Sequence, residues 1–447
     1  MRILLIEAPS LHGDGTGQTR ALLPLGLAAL AATLAPAHEV GLLLPDALAT
    51  DLTGAAALDA LAERVLAERP ELVGIGLTSA TFGRARGLTA ALAARAPELP
   101  LLLGGVHATV APAAALRASA AHAALAGEAD RTLPALLRQL AHGIPLCEAR
   151  LPGLWRQAPG AGPGTTPQIV PPPRSAALPA LDRLPLPRRA GVIGPPLPAS
   201  AFSGLTTSRG CCFDCSFCAA PRLGGGRVRF RPLPQVLAEV DELRTRWAVP
   251  SLFFHDSVLT LSRPRTLALA AGLAARSPAL PFTGQTRIDR IDPELLDHLA
   301  RAGCQQLIYG VETGSPRTGE RIGKPLDQDA VRRVARWTRE RGILPAAFFI
   351  IGFPWETAED LAATREVALG SGFDAVHLFS AHPLPGSRLG DEFPLDLAGP
   401  LDFRTPQRNF TTLPDAEYQQ RFTALAADFA AHNLAQVQRR LAWPAGG

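Results

Sequence analysis

The chain has 447 residues, of which 47% are hydrophobic and 19% are charged, a composition that excludes disorder and supplies enough apolar material for two or three packed cores. Its formal charge of +4 comes from 44 lysine and arginine residues against 40 acidic residues, and Lys324 is the only lysine. This balance is too mild for a nucleic-acid-binding surface, so no nucleic-acid partner is expected.

The start of the chain carries no pattern typical of export or membrane insertion. The apolar run 3–6 is too short for a signal peptide and ends at the acidic Glu7. The uncharged stretch 21–37 is interrupted by Pro24 and Pro36 and is shorter than the roughly 20 apolar residues of a membrane span. We therefore expect a cytoplasmic protein with no membrane span.

Residues 1–142 alternate short apolar runs with helical periodicity, which predicts an α/β domain with a doubly wound parallel sheet. Its predicted strands are 2–6, 39–44, 72–77, 101–105 and 123–127, and its predicted helices are 25–34, 58–67, 84–94 and 132–141. Ligands of such a domain bind in the loops that follow the strands, here 8–20, 78–82, 104–109 and 127–130.

Residues 143–200 are rich in proline, which excludes helix interiors and central strands and predicts a stiff linker. Alternation resumes over 201–390 with six predicted strands, which favours a parallel barrel or partial barrel with its chemistry at the carboxyl ends of the strands. These strands are 204–208, 251–255, 282–287, 306–311, 346–352 and 375–380. Residues 391–447 form a predicted helical extension, in which a helix is expected to pack through Tyr418, Phe422, Leu425 and Phe429.

The six cysteines are unevenly distributed, which indicates a metal site in a reducing compartment rather than a disulfide framework. Cys211, Cys215 and Cys218 have the spacing C-x3-C-x2-C, with which three thiolates on one loop can hold three corners of a cubane iron–sulfur cluster and leave one iron open. A zinc-stabilised nucleotide-binding protein is the non-enzyme alternative, but structural zinc requires four ligands. The adjacent Cys212 is expected to point elsewhere.

This loop, with Arg209 and Gly210 before the first cysteine and Phe217 before the third, resembles that of the radical S-adenosylmethionine (SAM) enzymes. The resemblance implies that the open iron binds SAM and that the reduced cluster cleaves it to a 5'-deoxyadenosyl radical. It also implies an external electron donor of the flavodoxin or ferredoxin type.

The polar or glycine-rich ends of the later barrel strands support this resemblance. By resemblance, Glu312 binds the ribose hydroxyls, Asp256 and Arg287 contact the polar end of SAM, and the segment 351–353 flanks the adenine. The alternative for each side chain is a structural pairing at a strand end. The full set of expected SAM-binding residues is Phe217, Asp256, Gln285, Arg287, Glu312, Ile351 and Phe353.

The N-terminal domain lacks G-x-G-x-x-G after its first strand but carries the motifs 24–28, 104–109 and 127–130. Together with the cysteine loop, their order resembles the cobalamin-binding subclass of radical SAM enzymes, and the resemblance covers 1–390. The D-x-H-x-x-G motif that supplies a cobalt ligand in many cobalamin proteins is missing, so His12 is expected to be solvated. A domain that has lost cobalamin is the alternative. The expected cobalamin-binding residues are Thr78, Ser79, Thr81, Gly104, Gly105, His107, Gly127 and Glu128.

The fold class predicted is thus a Rossmann-like cobalamin-binding domain followed by a partial (β/α)6 radical SAM barrel. The resemblance implies methylation of an unactivated carbon, or of phosphorus, in a small molecule, lipid or peptide. Radical-driven oxidation, cyclisation or rearrangement, with or without cobalamin, is the alternative. A methylthiotransferase is disfavoured, because no cysteine precedes Cys147 and a second cluster would lack ligands.

Overall fold

A computed structural model of the chain describes residues 1–9, 22–47, 54–158, 168–395, 401–406 and 408–442. The chain forms two compact units. Unit 1 comprises Met1–Phe202, Ala219–Arg229 and Leu384–Leu401, and unit 2 comprises Ser203–Cys218, Phe230–Pro383 and Asp402–Gly447. His12 and most of the predicted ligand loop 8–20 lie outside the described residues.

Unit 1 is built on an eight-stranded sheet whose central strands are parallel and buried on both faces, as expected when helices cover a sheet on both sides. The strand order is β7-β6-β5-β4-β3-β1-β2-β8, and β6 and β7 are antiparallel to their neighbours. The strands are β1 (Arg2–Glu7), β2 (Glu39–Leu43), β3 (Leu72–Gly76), β4 (Leu101–Gly104), β5 (Ala123–Leu125), β6 (Leu154–Gln157), β7 (Ile169–Val170) and β8 (Val192–Ile193).

Six helices of unit 1 connect these strands, and the apolar side chains that face the sheet are buried. The helices are α1 (Leu25–Leu34), α2 (Ala55–Ala67), α3 (Phe82–Arg95), α4 (Gly105–Val110), α5 (Pro112–Arg117) and α6 (Thr132–Ala141). The five predicted strands and four predicted helices of this domain are confirmed, and α1 and α6 have the predicted bounds.

The proline-rich segment 143–200 differs from the linker that its composition predicts. It contributes β6 and β7 at one edge of the sheet and β8 at the other. These strands have two to four residues and lie at the edges, where prolines nearby remove no ladder hydrogen bond from a central strand. The segment is therefore part of unit 1.

Unit 2 is built on a six-stranded parallel sheet with the order β9-β12-β13-β14-β15-β16, the sequential order of a partial barrel. A separate two-stranded sheet pairs β10 with β11. The strands are β9 (Gly204–Leu205), β10 (Ser208–Arg209), β11 (Arg229–Phe230), β12 (Leu252–Phe254), β13 (Phe282–Arg287), β14 (Cys304–Glu312), β15 (Leu344–Ile351) and β16 (Ala375–Ser380).

One of the remaining helices begins where the sequence predicts a helix start. Helix α10 begins after Asp292, whose carboxylate accepts a hydrogen bond from the Leu295 amide, as its N-cap sequence predicts. The helices are α7 (Ala220–Leu223), α8 (Leu233–Thr245), α9 (Arg263–Ala274), α10 (Pro293–Arg301), α11 (Pro316–Arg321), α12 (Gln328–Glu340), α13 (Ala358–Gly370), α14 (Arg388–Glu392) and α15 (Asp415–Ala442).

The expected apolar face of α15 is confirmed, because Tyr418, Phe422, Leu425 and Phe429 are all buried. Since neighbouring strands of unit 2 run parallel, their carboxyl ends meet at one edge of the sheet, and the residues that follow them share that edge. Within the described ranges, no helix has both the length and the apolar character needed to cross a membrane.

Candidate active site

The cysteine loop follows β10 and is held by main-chain hydrogen bonds. Gly210 enters the loop with a φ of 97°, a conformation that favours glycine. The Cys218 amide donates to the Cys215 carbonyl at 3.1 Å, and the Ser216 amide donates to the Ile322 carbonyl at 2.9 Å. All the cysteines are reduced; Cys215 is buried, whereas Cys212 is exposed. The three thiols of the motif thus lie on one fixed loop, and soft sulfur donors fit an iron–sulfur cluster.

Two cationic groups lie near this loop. The Arg287 guanidinium reaches the Cys215 sulfur at 3.9 Å and also lies 3.9 Å from the centre of the Phe213 ring, over which Arg290 packs at 5.3 Å. Burial raises the pKa of the Cys215 thiol, whereas the charges of Lys324 and Arg287 act in the opposite direction. This surrounding charge suits a group ligated by thiolates.

The carboxylate of Asp256, just after β12, accepts hydrogen bonds where the chain enters β10, directly before the cysteine loop. It accepts hydrogen bonds from the Thr207 amide at 2.9 Å, from the Thr207 hydroxyl at 2.8 Å and from the Ser208 hydroxyl. Asp256 is almost completely buried, at 2% exposed. The structure therefore gives this residue a role in fixing the loop, and its expected contact with SAM stays a prediction.

We expect Asp256→Asn to destabilise the apo-protein by about 3 kcal/mol, because asparagine offers one acceptor oxygen where three buried donors share two. Cluster assembly should fall with it, since the loop loses its anchor. Guanidinium unfolding and iron content after reconstitution measure both effects. Thr207→Val, which removes one of the three donors, should have a smaller effect, and an unchanged unfolding free energy in Asp256→Asn would contradict the assignment.

Glu312 ends β14 in an unusual backbone conformation. Its φ is 73°, and the pairing of β14 with β15 shifts register between Gly310 and Glu312. Such an irregularity redirects a side chain at a strand end, as a β-bulge does. One carboxylate oxygen, Oε1, accepts from the Lys324 ammonium at 2.8 Å. Among the described residues no donor bonds the other oxygen, Oε2, which could therefore accept from a ligand hydroxyl.

The expected SAM-binding residues Gln285 and Arg287 lie two positions apart on β13 and so project to the same face. Thr286 between them projects to the other face and shares a hydrogen bond with Thr260. The structure brings Arg287 to the cysteine loop together with Glu312, whose charge also acts on Cys215.

Aromatic rings connect the cysteine loop with the end of β15. The ring of Phe217 lies 6.0 Å from that of Phe353, which stacks on Trp355 at 5.6 Å. Ile351 and Phe353 are fully buried, and Gly352 between them has a φ of 104°. Phe353 is therefore placed beside the loop, and the expected adenine-flanking role of Ile351 and Phe353 stays a prediction.

Glu356, which the sequence analysis does not identify, fixes this segment. One of its oxygens accepts from the amides of Gly352 at 2.7 Å and Phe353 at 3.0 Å. Its other oxygen, Oε1, is buried without a hydrogen-bond partner among the described residues. Burial raises the pKa of this carboxyl to about 8, so it is largely protonated at neutral pH.

This raised pKa predicts a specific pH dependence of stability. The folded state keeps a proton that the unfolded state loses above pH about 4.5, so the free energy of unfolding should fall as the pH rises from 4.5 towards 8, by up to about 1.4 kcal/mol per unit. Glu356→Gln keeps an acceptor for both amides but cannot ionise. Its unfolding free energy, measured in guanidinium at pH 5.5 and 7.5, should fall less between the two values than that of the unchanged protein, and equal falls would contradict the assignment.

In unit 1, the strand order β2-β1-β3-β4-β5 places a topological switch point between β1 and β3, where doubly wound sheets bind their ligands. The segment after β3 begins with a hydroxyl-rich turn. Thr78 and Thr81 are linked by a hydrogen bond from the Thr78 amide to the Thr81 hydroxyl at 3.0 Å. Ser79 instead is buried and contacts Nδ1 of His107 at 3.0 Å.

His107, on the helix that follows β4, is buried and stacked on Phe82 with a centroid separation of 4.4 Å. Burial lowers its pKa to about 4, so its imidazole is neutral at neutral pH. Its Nε2 is buried without a hydrogen-bond partner among the described residues. An orphaned ring nitrogen beside a ligand-binding loop fits a site that is completed by a cofactor.

The glycines of the loops after β4 and β5 leave room and are linked to each other. A Cβ on Gly104 would contact nothing within 4 Å, whereas a Cβ on Gly105 would lie 2.7 Å from the Leu77 carbonyl oxygen. The Thr109 hydroxyl donates to the Gly105 carbonyl at 2.8 Å and accepts from the Gly127 amide at 3.0 Å. All eight expected cobalamin-binding residues thus lie at or just after the carboxyl ends of β3, β4 and β5, where a corrinoid could approach the backbone.

Glu128, the eighth, is engaged elsewhere. Its carboxylate forms an ion pair with Arg229 and is mostly buried. Arg229 is 101 positions away in the sequence, so no local sequence pattern predicts this ion pair. The expected contact of Glu128 with cobalamin stays a prediction.

Comparison with known proteins agrees with this architecture. The model of the radical SAM superfamily matches residues 205–368, and the model of the B12 binding domain matches residues 21–137. An uncharacterized methyltransferase of Pyrococcus horikoshii is 26% identical over 95% of this chain and 89% of its own length. The anaerobic magnesium-protoporphyrin IX monomethyl ester cyclase of Rubrivivax gelatinosus is 25% identical over 93% of this chain and 74% of its own.

A solved structure has the same fold. The radical SAM methyltransferase TsrM of Kitasatospora setae, with cobalamin and a [4Fe-4S] cluster bound, is 20% identical, covers 88% of this chain and 74% of its own, and superposes with a TM-score of 0.72. Fold, cysteine loop and family models together define an enzyme of the radical SAM superfamily. Within it, the chain belongs to the enzymes that carry an N-terminal B12-binding domain, and its cofactors are a [4Fe-4S] cluster, SAM and cobalamin.

Proposed function

We propose that this enzyme transfers methyl groups to an unactivated carbon, or to phosphorus, of a small molecule, lipid or peptide. The observation that carries the proposal is the presence in one chain of a cysteine loop suited to SAM cleavage and of Gly104 at the end of β4, where a Cβ would meet no protein atom within 4 Å and a corrinoid could approach the backbone. A relative that spans nearly the whole chain carries the name methyltransferase, which supports the same function.

The residues near the cysteine loop would hold the cluster, fix the loop and compensate its charge. When bound, the cluster supplies the electron that cleaves SAM to a radical, and cobalamin supplies a carrier for the methyl group. Cys211, Cys215 and Cys218 would hold the cluster, and Asp256 fixes the loop from which they project. The charge of Arg287 offsets the negative charge of the Cys215 thiolate.

The remaining contacts would orient SAM and the corrinoid. Glu312 would accept the ribose hydroxyls through the oxygen that Lys324 leaves available. The rings of Phe217 and Phe353 would exclude water beside the adenine. In unit 1, Gly104 would let the corrinoid approach the backbone, and the buried Nε2 of His107 would gain a partner from it.

A second candidate function is radical-driven cyclisation, because the cyclase relative also spans most of the chain. We further propose an electron donor of the flavodoxin or ferredoxin type and a cytoplasmic location, since an iron–sulfur cluster with an open iron requires a reducing environment.

A substrate-independent experiment separates the two candidates. The enzyme is reconstituted anaerobically with iron, sulfide and hydroxocobalamin, then reduced in the presence of SAM that carries a deuterated methyl group. Methyl transfer requires the label on the corrinoid and the release of S-adenosylhomocysteine. An unlabelled corrinoid together with 5'-deoxyadenosine would contradict methyl transfer and favour the second candidate.

A further inference from the structure

The single lysine of the chain lies beside the cysteine loop. All other basic residues among the 44 are arginines, so Lys324 is the one position with a compact ammonium group. The loop that carries it is fixed at both sides: the Ile322 carbonyl accepts from the Ser216 amide at 2.9 Å, and the Lys324 amide donates to the Gly319 carbonyl at 2.8 Å. The lysine backbone is therefore held next to the residue that follows Cys215.

The side chain of Lys324 forms a nearly buried ion pair with Glu312. The Nζ to Oε1 distance is 2.8 Å, and the two side chains are 12% and 10% exposed. Gly310 makes space for the pair, because a Cβ at that position would lie 2.7 Å from Nζ. A buried carboxylate whose cation is removed keeps its desolvation cost without compensation, so the orientation of Glu312 depends on this partner.

The lysine also lies close to the cysteine loop. The hydrogen bond from the Ser216 amide to the Ile322 carbonyl holds the lysine segment beside the residue that follows Cys215, so the ammonium lies near this ligand as well as beside Glu312. Among the described residues, the lysine forms an ion pair with Glu312 alone, so its charge is directed to this side of the loop.

We propose that Lys324 is a positioning residue that orients Glu312 towards SAM and supplies positive charge beside the Cys215 edge of the cluster. The inference rests on the SAM-cleaving half of the proposed function and holds for either a methylated or a cyclised product. Arginine does not substitute fully, because its planar fork is larger and requires more donors to be satisfied than the space beside Gly310 allows.

Lys324→Met and Lys324→Arg test the proposal, with Arg333→Met as the matched control. Arg333 lies on α12, and its ion pair with Asp327 is largely exposed, so this variant removes one positive charge from an exposed ion pair. Each protein is reconstituted with its cluster, and three quantities are measured anaerobically: iron and sulfide content, SAM affinity by equilibrium dialysis, and the midpoint potential of the cluster by electron paramagnetic resonance.

We expect Lys324→Met to retain its cluster, to bind SAM about tenfold more weakly and to have a more negative midpoint potential, because a lost positive charge disfavours the reduced state. Lys324→Arg should recover the potential but not the full SAM affinity, and Arg333→Met should match the unchanged enzyme. If Lys324→Met fails to fold, Lys324→Arg tests the proposal without it, and the expected result is a weakened SAM affinity at an unchanged potential.

Wild-type SAM affinity and potential in Lys324→Met would overturn the proposal. An unchanged SAM affinity alone would overturn the orientation of Glu312 by Lys324, and an unchanged potential alone would overturn the role of its charge beside the cluster. Wild-type SAM affinity in Lys324→Arg would overturn the requirement for lysine. Because none of these measurements uses cobalamin or a methyl acceptor, failure here is distinguishable from failure of methyl transfer, which the labelled corrinoid reports.

Discussion

Replacing Cys215 with alanine is expected to abolish cluster assembly and to lower SAM cleavage by at least about a hundredfold, since loss of even an outer-shell partner of a metal site costs 10–100-fold. Cys215 is the buried member of the motif and the one that Arg287 contacts. The measurement is iron and acid-labile sulfide after anaerobic reconstitution, followed by quantification of 5'-deoxyadenosine.

Cys212→Ala provides the matched control, because it removes a thiol from the same loop at an exposed position. It should retain the iron content and the SAM cleavage of the unchanged enzyme. Retention of a full cluster in Cys215→Ala, or its loss in Cys212→Ala, would contradict the assignment of ligands to the C-x3-C-x2-C spacing.

The second large effect is expected from Gly104→Ala in unit 1. Gly104 has φ −149° and ψ −176°, which any residue adopts, and a Cβ there meets no protein atom within 4 Å. Stability should therefore be unchanged, whereas the added methyl group would occupy space reserved for the corrinoid and lower its affinity by about tenfold or more. Corrinoid retention after gel filtration and guanidinium unfolding measure the two quantities.

Variants of two further glycines serve as controls for this result. Gly26→Ala, within α1, also adds a methyl group without a contact and should change neither quantity adversely. Gly105→Ala is expected to destabilise the fold, because its φ is 89° and its Cβ would approach the Leu77 carbonyl. Undiminished corrinoid affinity in Gly104→Ala would exclude this loop from the cofactor crevice.

Much of the fold could be predicted because short strand-like runs alternate along the sequence with stretches of helical periodicity. For β13 and β16, the predicted and observed bounds agree. The three short strands of the proline-rich segment could not be predicted, because two to four residues at a sheet edge carry no periodicity and their pairing depends on a partner far away in the sequence.

The candidate site also combines residues that the sequence predicts with partners that it does not. Strand-end positions identified Asp256 and Glu312, but not the partners that determine what each carboxylate can do. Asp256 is bound 49 positions away by Thr207, and Lys324 reaches Glu312 from a loop that no strand-end rule identifies. The only sequence signal for Lys324 was that it is the single lysine of a chain whose other basic side chains are arginines. Its proposed role could be inferred only from the ion pair with Glu312.

The central claim is that one chain holds both a [4Fe-4S] cluster and cobalamin, and metal analysis of the anaerobically reconstituted protein tests it most directly. The account predicts about four irons with matching acid-labile sulfide per chain, together with one equivalent of cobalt that remains through gel filtration. Stoichiometric zinc without iron would contradict the cluster, and iron without retained cobalt would contradict the corrinoid crevice.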